Sequence, residues 1–357
     1  MAYTTIDKSG DYFNTVLNTG DNTSPKSITG VGFQPDLVWT KTRGNTNNHT
    51  LFDSVRGAGA SKELSSDSTA GEGGVDTASY GYLSSFDSDG FTATSGSIGI
   101  NYYNATGSNY VNWNWLGGGT ASSNTDGSIT SSVSANTTSG FSVVSYTGTG
   151  SVATVGHGLG TAPAMVIVKN RDATSTWITF HKSLPNTNAV FLNLTNASTS
   201  GGTGYWNNTS PTSSVFSIGN DGANNVSGNN HIAYCFAEKK GFSKFDSYTG
   251  NGNADGTFVY TGFKPAWVMI KQSNASGEGW FILDNKRETI NPMGTLLIAN
   301  STDGDNTSQN PVLDFTSGGF KLRTTWGGVN GSGSTYIYMA FAEAPIVGSN
   351  NVPANAR

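Results

Sequence analysis

Three stretches decide the fold: Tyr110-Val-Asn-Trp-Asn-Trp115, His231-Ile-Ala-Tyr-Cys-Phe-Ala-Glu238 and Tyr336-Ile-Tyr-Met-Ala-Phe-Ala-Glu343. Each alternates with period two, the signature of a β-strand with one packed face. One side carries Val111, Trp113 and Trp115, then Ile232, Tyr234 and Phe236, then Ile337, Met339 and Phe341. These residues change identity while staying large and apolar, as packing positions do. The other side varies freely, from Asn112 and Asn114 to Ala233 and Cys235 to Tyr338 and Ala340. Cys235 therefore reads as a small strand residue rather than a nucleophile.

Working outward, three further blocks recur in the same order around these strands. An opening block reads Leu17-Asn-Thr-Gly20, Ser145-Tyr-Thr-Gly148 and Ser247-Tyr-Thr-Gly250. A proline block reads Gly32-Phe-Gln-Pro35 into Asp36-Leu-Val-Trp-Thr-Lys41, then Pro163 into Ala164-Met-Val-Ile-Val-Lys169, then Pro265 into Ala266-Trp-Val-Met-Ile-Lys271. An aromatic block follows as Leu51-Phe-Asp-Ser-Val-Arg56, Trp177-Ile-Thr-Phe-His-Lys182 and Trp280-Phe-Ile-Leu-Asp-Asn-Lys-Arg287. Proline just ahead of each Val/Ile/Trp run suits the first residue of a strand, where no ladder N–H is needed.

The expected fold is all-β, with three tandem β-sandwich repeats of jelly-roll-like character. Their expected bounds are 1–118, 139–240 and 241–346, with a C-terminal tail over 347–357. Residues 119–138 are rich in Ser, Thr and Gly and read as a linker. The second and third units meet without a spacer, so they are expected to form a rigid pair, with the first more independent.

Composition agrees. Only 12% of the 357 residues are charged, and the chain holds 47 Gly, 8 Trp, 14 Tyr and 18 Phe. Such a chain is neither a helical bundle nor a disordered tail. The net charge is −5 and no basic block stands out, so no nucleic-acid partner is expected. No run approaches the roughly 18 apolar residues of a membrane span, so no membrane insertion is expected. The single cysteine excludes an intrachain disulfide. The start, Met1-Ala-Tyr-Thr-Thr, lacks a basic stretch followed by an apolar run, so no secretory signal is expected.

The repeats also sort the candidate chemistry. None of His49, His157, His181 and His231 recurs in all three units, and no nucleophile elbow or phosphate loop is present. No catalytic residue, cofactor or metal is therefore expected. Phe86-Asp-Ser-Asp-Gly-Phe91 has the look of a calcium loop, but the third unit has Phe315-Thr-Ser-Gly-Gly-Phe320 there, so the shared demand is a tight turn. Asp53 with Arg56, and Asp284 with Arg287, read as repeated ion pairs at a strand end. Trp206 and Trp326 lie in loops rich in Gly, Asn and Thr and are the candidate ligand-contact aromatics.

Several of these motifs carry a resemblance: Gly32-Phe-Gln-Pro35, Phe52-Asp-Ser-Val-Arg-Gly57, Ser84-Ser-Phe-Asp-Ser-Asp-Gly-Phe91, Phe245-Asp-Ser-Tyr-Thr-Gly-Asn-Gly252 and Tyr336-Ile-Tyr-Met-Ala-Phe-Ala-Glu343. Over nearly its whole length the chain resembles virion structural proteins of marine tailed bacteriophages of the cyanobacterial type, which carry a repeated β-rich domain. The resemblance implies a non-enzymatic, surface-exposed protein assembled in the host cytoplasm and located on the virion. A tail-fibre or adhesin role is the first expectation, a head decoration protein the alternative, and a polysaccharide-degrading enzyme a third. Expected partners are other virion proteins, further copies of the chain (a trimer is favoured) and host-surface glycans.

Overall fold

A computed structural model describes residues 4–345; the expected tail over 347–357 lies outside the described residues. The described chain is all-β, its only helices being three four-residue α segments and one 3-10 turn. The four blocks become four adjacent strands in each third. In the first, the opening strand Phe13–Thr19 pairs with the closing strand Asn109–Trp115, which pairs with the proline strand Leu37–Thr42, which pairs with the aromatic strand Thr50–Asp53. The second third repeats this order with Phe141–Thr147, Asn230–Phe236, Met165–Asn170 and Ile178–His181. The third repeats it with Ser243–Thr249, Thr335–Pro345, Phe263–Gln272 and Trp280–Asp284. All these pairings are antiparallel. Pro35 and Pro163 precede their strands, whereas Pro265 lies inside its strand at a register shift, where a missing N–H is tolerated.

Glycine at the end of each opening block answers to a close approach. A Cβ on Gly20, Gly148 or Gly250 would sit 1.9, 2.3 or 2.4 Å from the backbone oxygen of Ala105, Val226 or Gly331.

The alternating faces of the closing strands go to two different places. Val111, Trp113, Trp115, Ile232, Tyr234, Phe236, Ile337, Met339 and Phe341 all belong to one hydrophobic core shared by the three thirds. Phe13 stacks on Phe341 at 4.8 Å, and Trp115 meets Trp267 edge-on at 5.9 Å. The opposite faces point outward into separate cores. Ala233 and Cys235 enter a core covered by the sheet of Ala153–Gly156 and Val215–Ile218. Tyr338 and Ala340 enter one covered by Phe258–Tyr260, Gly319–Leu322 and Leu313–Thr316. In the first third, Asn112 and Asn114 are buried: Asn112 accepts from Thr40 and donates to Asn18, and Asn114 donates through Nδ2 to the backbone of Asn14 and Asn112. The outward face tolerates substitution because each third has its own outer core to adjust.

Two expectations are corrected. The first third is not independent: Phe13, Trp39, Trp113 and Trp115 are part of the shared core. The segment 119–138 is not a free linker. Ser122–Asn124 and Ser131–Asn136 are strands that extend the second third's sheet beyond its opening strand, giving eight strands in all. Val133 and Ile129 supply the apolar contacts that a Ser/Thr-rich composition conceals. The calcium-like loop is a hairpin turn, with Phe86 opposite Phe91 and Asp87 opposite Gly90. Its Asp89 carboxylate accepts from the backbone N–H groups of Gly30 and Gly32, at 3.1 and 2.6 Å.

Candidate functional site

Two kinds of polar site bear on function: the junctions where the thirds meet, and an open cleft beside Trp326. At the junctions, side chains at matched strand positions reach the neighbouring third. Lys41, Lys169 and Lys271 stand opposite Val111, Ile232 and Ile337 on the closing strands. All three are fully buried. Their Nζ atoms donate to the backbone oxygens of Thr302, Thr69 and Thr195, at 2.8, 2.9 and 3.2 Å. Each lysine thus clasps a loop of another third, in the cycle first to third, second to first, third to second. Among the described residues none has a carboxylate within ion-pair distance, and burial pulls each down to about 8. These lysines escaped the sequence reading, although a Lys ending every proline strand was the visible signal.

The same cycle recurs one strand over. His49, Trp177 and Trp280 contact the backbone oxygens of Ile298, Ser65 and Phe191, at 3.1, 2.7 and 2.9 Å. Trp39 Nε1–H donates to His49 Nδ1 at 2.8 Å, so His49 carries its proton on Nε2 and is neutral. Burial holds its pKa well below the ordinary histidine value.

The expected ion pairs are both formed, but they are buried rather than surface features. Arg56 Nε lies 2.5 Å from Asp53 Oδ2, and Arg287 Nε lies 2.6 Å from Asp284 Oδ2, with all four side chains inaccessible to solvent. Each carboxylate also accepts from a ring on the next third's closing strand. The Tyr234 hydroxyl donates to Asp53 at 2.8 Å, and Trp113 Nε1–H donates to Asp284 at 3.2 Å. Arg56 donates onward to the backbone of Leu51 and Lys62, and Arg287 to that of Ile282 and Thr295. Burial pulls against the charge on Arg56, but Asp53, Tyr234 and Glu72 together outweigh it and the guanidinium stays above its usual range. These groups are consumed in joining the thirds and leave no free face for a ligand.

The two candidate aromatics lie in different surroundings. Trp206 is 2% exposed, packs edge-on against Phe180 at 5.8 Å and donates Nε1–H to the backbone of Asn188. It is a core residue, because the Gly-rich loop around it folds back over the second third's outer core. Trp326 instead lines a cleft of about 390 Å³, with Phe281, Leu296 and Ile298 beneath and Glu278, Asn300, Asn306 and Gln309 around it. Thr195 closes one side from the second third. Phe281 braces the indole edge-on at 4.6 Å. Gly328 makes room for it, since a Cβ there would fall 2.3 Å from the ring. The polar members were not foreseen, because they come together only when the loops around Glu278, Asn300 and Gln309 converge.

Residues 8–345 match the model of a protein family described as a domain of unknown function, DUF7483. The chain belongs to that family. The DUF7483 domain therefore takes in all three thirds and the shared core between them as one unit. No curated protein and no solved structure matches the chain significantly. Among the described residues of this DUF7483 chain, no helix is long and apolar enough to cross a membrane.

Proposed function

We propose that this chain is a non-enzymatic structural protein of a tailed-phage particle, a surface-exposed module of tail-fibre or adhesin type. The observation that carries the reading is the cycle of matched contacts. Three lysines, two Asp–Arg pairs and three ring donors are spent on holding one third to the next. Buried, mutually satisfied polar groups specify one rigid arrangement. A rigid scaffold with a surface of uncharged hydroxyls and amides suits display and contact. The motif resemblance to virion proteins supplies the setting.

In this reading each third is a sandwich-type repeat, jelly-roll-like in setting a large inner sheet against a small outer one. Three such repeats around one core give a single chain the arrangement that a trimer would otherwise supply. That feature also favours the second reading, a head decoration protein, because a three-part body suits a three-way junction on a shell. Its partners are then neighbouring virion proteins. Immunogold labelling of intact particles separates the readings. Label on the tail supports the fibre or adhesin role, label on the head supports decoration, and no label on purified particles overturns both.

A further inference from the structure

We propose that the Trp326 cleft binds a neutral or N-acetylated sugar unit of a glycan. The proposal deepens the display reading by naming what this surface recognises. Three features of the cleft point to that chemistry. The first is a braced aromatic face. Trp326 is half-buried, is fixed by Phe281 and Gly328, and makes no hydrogen bond through Nε1 among the described residues. An indole held in this way offers the apolar C–H face of a pyranose a platform at little ordering cost.

The second is unused hydrogen-bonding capacity at the rim. The Glu278 carboxylate and the Gln309 amide make no hydrogen bond or ion pair among the described residues, although both face the cleft. Asn300 and Asn306 are oriented by their own oxygens. Asn300 Oδ1 accepts from Trp280 N, and Asn306 Oδ1 accepts from Ser308 N, each at 2.8 Å. Both Nδ2 groups are thereby left as donors. Amide donors, a carboxylate acceptor and hydroxyls around an aromatic floor match the vicinal hydroxyls of a sugar, which each donate and accept.

The third is charge. The lining holds one carboxylate and no Lys, Arg or His. A sialylated, sulfated or phosphorylated ligand would meet Glu278, while Lys271 behind this wall is buried and spends its donors on the backbone oxygens of Thr195 and Glu278, so the lining disfavours anions. A nucleotide is disfavoured on the same ground. The volume of about 390 Å³ lies at the small end of ligand pockets, which fits one or two sugar rings rather than a long chain.

The test is binding of the purified full chain to an array of neutral, N-acetylated, sialylated and sulfated oligosaccharides, followed by calorimetric titration of the best binder. The expected result is a neutral or N-acetylated hit. Trp326→Ala should weaken it by about tenfold while the chain still unfolds cooperatively at a modestly lowered melting temperature, and Trp326→Phe should restore part of the loss. Gln309→Ala, a rim change that leaves the indole in place, should weaken it several-fold. Three results would overturn the proposal: no hit among neutral glycans, preferred binding of an anionic glycan, or a hit that neither Trp326→Ala nor Gln309→Ala weakens. Particle labelling judges the display reading separately, because glycan binding by the isolated chain does not depend on where the chain sits.

Discussion

The three junctions between the thirds occupy equivalent positions but are not chemically alike. Between the first and second thirds, and between the third and first, a buried Asp–Arg pair receives a ring donor from the neighbour, Tyr234 or Trp113. A second ion pair supports each: Arg171 with Glu72 at 2.5 Å, and Arg43 with Asp305 at 2.8 Å. Between the second and third thirds, His181 and Leu184 stand in the Asp and Arg positions, and Met339 stands on the neighbour's closing strand where Tyr234 and Trp113 stand at the other junctions. His181 receives the Ser183 N–H on Nδ1, so it donates Nε2–H to the backbone oxygen of Tyr338 at 3.2 Å. The loop contact there is neutral as well, from Ser198 N to Ser273 O. When the carboxylate is absent, so are the guanidinium and the ring donor. The lesson is that partners at a buried junction change together, because an unpaired member of a charged set is far more costly than a neutral replacement of the whole set.

This comparison can be broken at several points. The largest effect is expected from Asp53→Ala or Asp284→Ala, which strand a buried guanidinium and should cost about 3–5 kcal/mol in urea unfolding. Converting a whole junction to the neutral type, with Asp53→His, Arg56→Leu and Tyr234→Met together, should lose less than Asp53→Ala alone. A triple variant weaker than the single would show that the charges themselves hold the junction. Tyr234→Phe removes one hydrogen bond to Asp53 and should cost about 1–2 kcal/mol, read from the same unfolding curves.

The pH dependence sharpens the picture. His181 and His231 are each lowered to about 4 by burial, so the unfolded chain takes up protons first as pH falls. Stability should therefore drop between about pH 6.5 and 4, and His181→Asn should flatten part of that slope. For Lys41, Lys169 and Lys271 the folded pKa is lowered to about 8, so the unfolded chain holds more protons above that value. Their contribution should raise stability as pH climbs from 8 towards 10. Above about 10 the buried tyrosines, whose pKa values are raised, reverse the trend. The smallest effect is expected at the exposed Lys8–Asp11 pair, where Lys8→Ala should change stability by less than about 0.5 kcal/mol.

Much of the inner architecture was legible because it is written in local periodicity. The alternation in Tyr336–Glu343 and its two counterparts marked the closing strands and their packed face, and four blocks in fixed order marked the strands around them. What period two cannot show is that both faces are buried, since Cys235 and Ala340 look like ordinary small residues on an open side. Nor can it show that three packed faces meet in one core, which depends on contacts far apart in sequence such as Phe13 with Phe341. The linker reading failed for a related reason: Ser131–Asn136 is mostly polar, yet Val133, with Ala135 packed beside it, anchors it to the second third's outer core. At the sites, Asp53, Arg56, Asp284 and Arg287 were found by recurrence, but their burial was not. Trp326, singled out by its setting, lines a cleft, while Trp206 in a similar setting is core.

The central claim is that the three thirds share one core and so stand or fall together. Native-state hydrogen exchange of the full chain tests it most directly, by comparing the closing strands Asn109–Trp115, Asn230–Phe236 and Thr335–Pro345. The account predicts that the most protected amides of all three strands open with the same free energy, equal to that of global unfolding. A lower opening free energy confined to Asn109–Trp115, with the other two strands still protected, would show that the first third unfolds on its own and would contradict the shared core.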